Sequence, residues 1–283
     1  MINKVITYLF DDYHKKQNAH AFKNLLYIFI LLKCFFWILN FTILFGEEPV
    51  SLAVHAPLAF YKKFAFFLYY STSTTPSIIC LITLVIASGF SLLSRYSYFI
   101  LDVIIYIIVI NINAKLYTSL TAGDPLLSNL CFLSIFLRKN FTIQKTFWGD
   151  LSVLLHNVSF IALISQICIV YFYSALAKWV DADWLNGEAV NLVNMTHHYS
   201  PALLIDHASF LYPVSFVLTY VVLLYQTLFP VLIWFKKIKK PFLFMGIIMH
   251  LYIAFMMGLF FFGLIMAITY VLFFDYNHES KKN

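Results

Sequence analysis

One lysine at the end of a long apolar run stands among the residue types that proton-transfer chemistry needs. In the stretch YFYSALAKWVDADWLNGEA, Lys178 follows Tyr171 by seven residues and Ser174 by four, so a helix places the three side chains on one face. Two carboxylates, Asp181 and Asp183, follow within about one turn. A lysine that is held neutral can act as a base, whereas a carboxylate bonded to it would keep it charged.

The same lysine has a simpler interpretation. A lysine in the last turn of a membrane helix ordinarily extends its ammonium group to water and marks only the boundary of the helix. Two features favour a functional amine: the surrounding segment is acidic, and Tyr171 and Ser174 share its face. Both interpretations of Lys178 stay open at this point.

Other polar residues fall inside apolar runs. His250 lies eight residues after Phe242, the start of its run, and an imidazole near the middle of a membrane must find a partner. Lys33 and Asp102 each lie some way inside a run. We expect these two to form a structural ion pair, with a proton path as the alternative.

Neither a metal site nor a disulfide is expected. Each cysteine falls singly inside an apolar run, which is typical of small core residues. One polar cluster comprises His197, His198, Asp206 and His207. Its histidines lack the i, i+3 or i+4 spacing that is typical of metal sites.

The elements that must position these residues are membrane helices. Hydrophobic residues make up 62% of the 283 positions and charged residues only 11%, which is too apolar for a soluble domain. We expect an all-α polytopic bundle of about eight transmembrane helices in one membrane domain, 1–283. The last apolar run, Phe242–Phe274, has 33 residues, which is too long for one membrane crossing. We therefore divide it into two helices near Gly258. The predicted helices are 24–45, 76–93, 96–113, 125–137, 151–178, 208–235, 242–257 and 259–275.

Charge placement predicts the orientation of these helices. With a cytoplasmic N-terminus, the inner loops contain Arg95, Arg138 and the run KKIKK at 236–240, while most acidic residues fall in the outer connections. The positive-inside rule therefore favours cytoplasmic N- and C-termini. The net charge of +6 is explained by this topology and by contact with membrane lipid, so no nucleic-acid partner is expected.

The segment around Lys178 resembles a segment of vitamin K-dependent gamma-carboxylase and of its bacterial relatives, the horizontally transferred transmembrane (HTTM) family. The family pattern is Tyr-Phe in an apolar span, a lysine seven residues on, then Asp-Ala-Asp-Trp and a glycine. Here one extra residue separates the lysine from the block, and the matching residues are Tyr171, Phe172, Lys178, Asp181, Ala182, Asp183, Trp184 and Gly187. TAGDPLL at 121–127, LFPVLIW at 228–234 and the paired last helices with His250 are similar to further family features.

The resemblance implies that Lys178 is a base that deprotonates a reduced membrane quinone of the vitamin K type. His250 is our second catalytic candidate. Substrate binding is assigned to the outer face and the face of Lys178, which comprise Asp124, Tyr171, Ser174, Asp181, Asp183, Trp184 and Gly187.

Two departures limit what the resemblance implies. The segment after the Gly-Asp span lacks the histidine that the carboxylase uses there, and we expect no large extra-membrane domain. We therefore expect lysine-assisted chemistry on a quinone or another lipid-soluble substrate rather than full glutamate carboxylation. Modification of a secreted peptide is the other expected reaction, because one bacterial subgroup matures a toxin peptide in the sporulation-delaying system.

The alternative is a non-enzymatic protein of the bacterial cytoplasmic membrane: a transporter, an immunity factor or a scaffold that binds a partner protein. In that case Lys178 and the two aspartates only brace the outer ends of helices, with the ammonium charged and paired.

The topology predicts which engineered cysteines are accessible from outside the cell. An impermeant thiol reagent applied to intact cells should label Ser200→Cys and should label Ser280→Cys only after the membrane is permeabilised. Labelling of Ser280→Cys in intact cells would overturn the orientation.

Overall fold

The computed structural model describes residues 9–10, 12–46, 67–68, 71, 73–140, 146–196 and 205–275. This part of the chain is helical and contains no strand, so the all-α class is confirmed. The helices are α1 Lys16–Leu39, α2 Phe41–Phe45, α3 Thr75–Leu93, α4 Phe99–Lys115, α5 Gly123–Ser134, α6 Phe147–Trp179, α7 Ala182–Leu185, α8 Ala189–Asn194, α9 Ala208–Leu232, α10 Lys236–Met256 and α11 Phe260–Thr269.

Five of these helices are long and apolar enough to cross a membrane: α1, α3, α6, α10 and the Phe210–Leu232 part of α9. The chain is therefore a membrane protein. The other three predicted spans are shorter helices, of 17 residues in α4, 12 in α5 and 10 in α11, which a 3-10 turn at Tyr270–Leu272 extends. The count of eight crossings stays a prediction.

Contacts divide the chain into two compact units, Met1–Ala162 and Leu163–Asn283, and the boundary falls inside α6. The sequence alone predicts one membrane domain, 1–283. Each unit has its own set of buried polar side chains, and the residues around Lys178 belong to the second unit.

Among its described residues, the first unit contains two buried ion pairs, and neither joins Lys33 to Asp102. Asp102 accepts from Lys23 Nζ at 2.7 Å and from the Tyr27 hydroxyl at 2.5 Å. Lys33 pairs instead with Asp124. The expected Lys33–Asp102 pair is therefore wrong.

The error has a structural cause. The predicted first span, 24–45, begins after Lys23, but α1 begins at Lys16 and buries Lys23 completely. Asp102 lies in the first turn of α4 and meets Lys23. Lys33 is ten residues further along α1, which is about 15 Å along the helix axis, too far to share that carboxylate.

Lys139 supports the end of α3 in the same unit. Its Nζ donates to the carbonyl oxygens of Ser91 at 2.8 Å and Ser94 at 2.7 Å, where the partial negative charge of a helix C-terminus lies. Burial of Lys139 lowers its pKa below the ordinary value, and the nearby ammonium of Lys23 lowers it further. This lysine therefore satisfies backbone groups that helix α3 leaves open.

In the second unit, a glycine separates the last two helices. Gly258 has φ 64, in the left-handed region that favours glycine, and it lies between the end of α10 and the start of α11. Helices α10 and α11 then touch at Gly263, where an added Cβ would lie 2.8 Å from the Cβ of Ala254. The predicted split near Gly258 corresponds to this break.

The buried pair predicts a specific pattern of rescue. Asp102→Leu strands the Lys23 ammonium in an apolar interior and should cost about 3–5 kcal/mol of unfolding free energy. Adding Lys23→Met removes the stranded charge and should recover most of that loss, measured by thermal unfolding in detergent. Lys33→Met is the matched control, and it should deepen the loss because it strands Asp124. Equal recovery by Lys33→Met would show that the pairing is wrong.

Candidate functional site

Lys178 lies in the last turn of α6 with its ammonium group turned back along the helix. Nζ donates to Ser174 Oγ at 2.8 Å and lies 3.5 Å from the carbonyl oxygen of Ser174, one turn earlier. Trp184 covers the other side, with its ring centroid 4.8 Å from Nζ. The side chain is half-buried between a hydroxyl group and an aromatic face.

The two aspartates after Lys178 do not pair with it. Asp181 caps α7, where its Oδ1 accepts from the backbone N–H of Asp183 at 2.9 Å. Both aspartates are exposed, and none of the ion pairs in the described ranges includes Lys178. The Asp181 carboxylate therefore shapes the loop, and the functional-amine interpretation requires that neither aspartate pairs with Lys178.

Ser174 connects Lys178 to α9. The Ser174 hydroxyl donates to Gln226 Oε1 at 3.0 Å, and Gln226 is 8% exposed. Next to it along the helices, Trp179 Nε1 donates to Thr227 Oγ1 at 2.9 Å. These two bonds tie the end of α6 that carries Lys178 to α9.

Deeper in the unit, Tyr171 is the centre of a second polar cluster. Its hydroxyl lies 2.6 Å from His250 Nε2 and 2.5 Å from the Tyr270 hydroxyl, which in turn lies 2.9 Å from the Tyr225 hydroxyl. All four side chains are buried. Since each hydroxyl can donate once and also accept, the four residues form one continuous hydrogen-bonded chain.

The side chains around this cluster are closely packed against the tyrosine rings and hydroxyl groups. The Tyr171 ring stacks on Phe229 with centroids 4.0 Å apart. At Gly246, an added Cβ would collide with the hydroxyls of Tyr225 and Tyr270. His250 Nδ1 is buried and has no hydrogen-bond partner among the residues that the structure describes. The cluster is thus closely packed, with one polar atom left over.

The loop after Lys178 folds back onto α9. Gly187 has φ 80 and approaches Phe216 so closely that an added Cβ would lie 2.5 Å from two ring carbons. The Tyr220 hydroxyl fixes the loop by donating to the carbonyl oxygen of Leu185 at 2.8 Å. This folding carries Trp184 over Lys178.

An apolar cavity of about 260 Å³ lies between α9 and α10, and Trp184 forms part of its wall. The side chains lining it carry no formal charge and include Leu218, Val222, Met249 and Ile253. Trp184 therefore contacts both the cavity and the Lys178 ammonium.

Asp124, the remaining predicted site residue, belongs to the first compact unit. Its carboxylate pairs with Lys33 and also accepts from the backbone N–H of Thr121 at 2.7 Å and from the Thr121 hydroxyl at 3.0 Å. These bonds give Asp124 a structural task, and its assignment to substrate binding stays a prediction.

The histidine-containing segment before α9 is only partly described. Residues 197–200 lie outside the described residues, and Asp206 and His207 are exposed. Within the described ranges, no group of three or more His, Cys, Asp or Glu side chains could hold a metal ion.

The family comparison agrees with the second unit. Residues 149–278 match the HTTM domain family. The chain carries an HTTM domain. Comparison with curated proteins and with solved structures gives no match. The HTTM domain contains every predicted site residue except Asp124, so the resemblance read from the Lys178 segment is confirmed. The toxin-maturation subgroup and the bacterial origin stay predictions.

Sequence reasoning missed several residues of the HTTM domain that contact the predicted ones. Gln226 is a single amide inside an apolar run, and a polar residue in a membrane span is itself a signal. Tyr225 and Tyr270 gave no comparable signal, because the chain contains 19 tyrosines and aromatic residues are common at membrane boundaries. Gly246 becomes informative only when the two hydroxyls that face it are known.

The close approach at Gly246 predicts a large difference between two glycine substitutions. Gly246→Ala should lower the unfolding free energy by about 1–3 kcal/mol, because the added methyl displaces the Tyr225 and Tyr270 hydroxyls. Gly89→Ala in α3 is the matched control: nothing lies within 4 Å of its added Cβ, and alanine favours the helix. Thermal unfolding of both variants measures the effect. Equal stability of the two would show that the cluster is not closely packed.

Proposed function

We propose that the HTTM domain is the catalytic part of a membrane enzyme, in which the Lys178 amine takes a proton from a lipid-soluble substrate such as a reduced quinone. The observation that carries this proposal is the choice of partners around Nζ: a serine hydroxyl and an aromatic face, with no carboxylate among the described residues. A carboxylate would hold the proton on the amine, whereas these neutral partners allow the proton to leave.

The cavity beside Trp184 supports a substrate that comes from the membrane. Its uncharged lining suits the apolar body of a quinone or a lipid, and few polar groups compete with that contact. Because Trp184 contacts both the cavity and Nζ, a substrate held in the cavity reaches Lys178 when the indole ring moves aside. Modification of a secreted peptide would use the same amine from the outer face.

The Tyr171–His250 cluster takes a separate part in the proposal. Tyr171 precedes Lys178 by seven residues, about 10 Å along the helix axis. At that separation His250 does not act on the proton that Lys178 removes. We assign to His250 Nε2 the exchange of one proton with the Tyr171 hydroxyl, with which it shares a 2.6 Å hydrogen bond.

The alternative is a transporter, an immunity factor or a scaffold, in which Lys178 braces the helix end. The contact between Nζ and the Trp184 ring would serve a brace equally well. A brace requires positive charge at position 178, whereas a base requires an amine that can lose its proton. Arginine separates these two requirements, because it keeps its charge under all ordinary conditions.

Lys178→Arg should abolish activity without affecting insertion. We expect at least a 100-fold loss of turnover, which is about the contribution of a general base. The assay is oxidation of a reduced naphthoquinone by dissolved oxygen in the presence of the protein in nanodiscs, followed by mass spectrometry of the quinone products. Lys239→Arg is the matched control, because Lys239 pairs with Asp275 at 3.1 Å in the same domain and an arginine preserves that pair.

Two results would count against the proposal. Full turnover by the Lys178→Arg variant would show that position 178 needs only a charge. If the unmodified protein converts the quinol no faster than the Lys178→Arg variant does, the quinol is not the substrate.

A further inference from the structure

The Ser174 hydroxyl is bonded on two sides, and the geometry fixes the direction of both bonds. A hydroxyl group has one hydrogen to donate and lone pairs that accept. The Gln226 amide oxygen, 3.0 Å away, is an acceptor only, so the Ser174 hydrogen points to Gln226. Toward Lys178 Nζ, 2.8 Å away, Ser174 therefore presents a lone pair.

This direction determines where the Lys178 amine can react. Since Ser174 can only accept, Nζ must donate an N–H to it in the charged and in the neutral form. The lone pair of a neutral amine then points away from Ser174 Oγ, and the space that Trp184 covers is one of the directions left to it. That space adjoins the cavity wall formed by the same indole ring.

We infer that Gln226 is a positioning residue for Lys178: by holding the hydrogen of Ser174, it keeps the amine lone pair open for a substrate. The inference deepens the proposed function and rests on it for the identity of the reacting group. Gln226 is suited to this task because it is buried in α9, apart from the helix that carries both Ser174 and Lys178. Gln226 Oε1 is the acceptor to which the Ser174 hydroxyl donates in the structure.

Removing the amide releases the Ser174 hydrogen. In Gln226→Met, which keeps similar bulk, the hydroxyl can rotate and donate to the lone pair of the neutral amine. The amine is then blocked by its own neighbour. Removing the hydroxyl as well, in Gln226→Met with Ser174→Ala, leaves nothing to donate and frees the lone pair again.

The reactivity of Lys178 toward acetic anhydride measures this blocking without any substrate. The protein in nanodiscs is labelled with a trace of the reagent over a rising series of pH values until the rate no longer increases. Mass spectrometry then gives the acetylation of the Lys178 peptide relative to the exposed Lys237 in the same sample. At that plateau every amine is neutral, so the rate reports access to the lone pair rather than charge.

We expect the plateau rate at Lys178 to fall about 2- to 10-fold in Gln226→Met, the factor that one neutral hydrogen bond contributes. Ser174→Ala alone should keep the rate of the unmodified protein, and the double variant should return to it. A purely structural role for Gln226 predicts that the double variant is no better than Gln226→Met. An unchanged rate in Gln226→Met, or a loss that persists in the double variant, would overturn the inference.

These experiments test the base and the positioning of the amine independently of each other. Labelling needs no turnover, so the expected pattern together with full turnover by Lys178→Arg would keep the positioning of the amine and remove its role as a base. Loss of turnover in Lys178→Arg with no effect of Gln226→Met on labelling would keep the base and remove the positioning by Gln226.

Discussion

Polar side chains inside membrane helices must be satisfied by the protein, because lipid offers them no hydrogen bonds. This constraint explains the placement of nearly all the buried polar groups described above. Lys23 finds Asp102, Lys33 finds Asp124, and Lys139 finds the open carbonyl oxygens of α3. In the HTTM domain, three tyrosine hydroxyls bond to one another and to His250 Nε2. Each contact joins separate helices or a helix to a loop, so the polar groups specify which surfaces meet.

Composition and periodicity predicted the class of protein, because apolar content and run length determine whether a chain lies in lipid. They could not predict which buried charges pair. Hydropathy assigns each residue an approximate depth, but the start of α1 at Lys16 rather than at residue 24 moved Lys23 from the boundary into the interior. Asp102 was therefore assigned to Lys33, because both lie some way inside an apolar run. One shifted helix boundary was enough to exchange the partners.

The candidate site was predictable to the extent that it lies on one helix. Tyr171, Ser174 and Lys178 share a face of α6 because of helical periodicity, and the structure connects Lys178 to Ser174 directly. The partners on other helices could not be derived in this way. Gln226, Tyr225 and Tyr270 meet that face through the packing of α9 and α11. The glycine at 246 admits two hydroxyls, which no local pattern in α10 would indicate.

The choice of partner separates three lysines in the described part of the chain. Lys23 and Lys33 are almost completely buried and bonded to carboxylates. This arrangement stabilises a charged ammonium in an apolar interior and prevents it from acting as a base. Lys178 is only half-buried, and it contacts a hydroxyl group and an indole ring although Asp181 and Asp183 follow it within about one turn. The Asp181 carboxylate bonds to loop backbone instead. An ion pair with Asp181 or Asp183 would stabilise a lysine whose only task is to hold the helix end in place. The absence of such a pair at Lys178 among the described residues therefore favours an amine whose proton can leave.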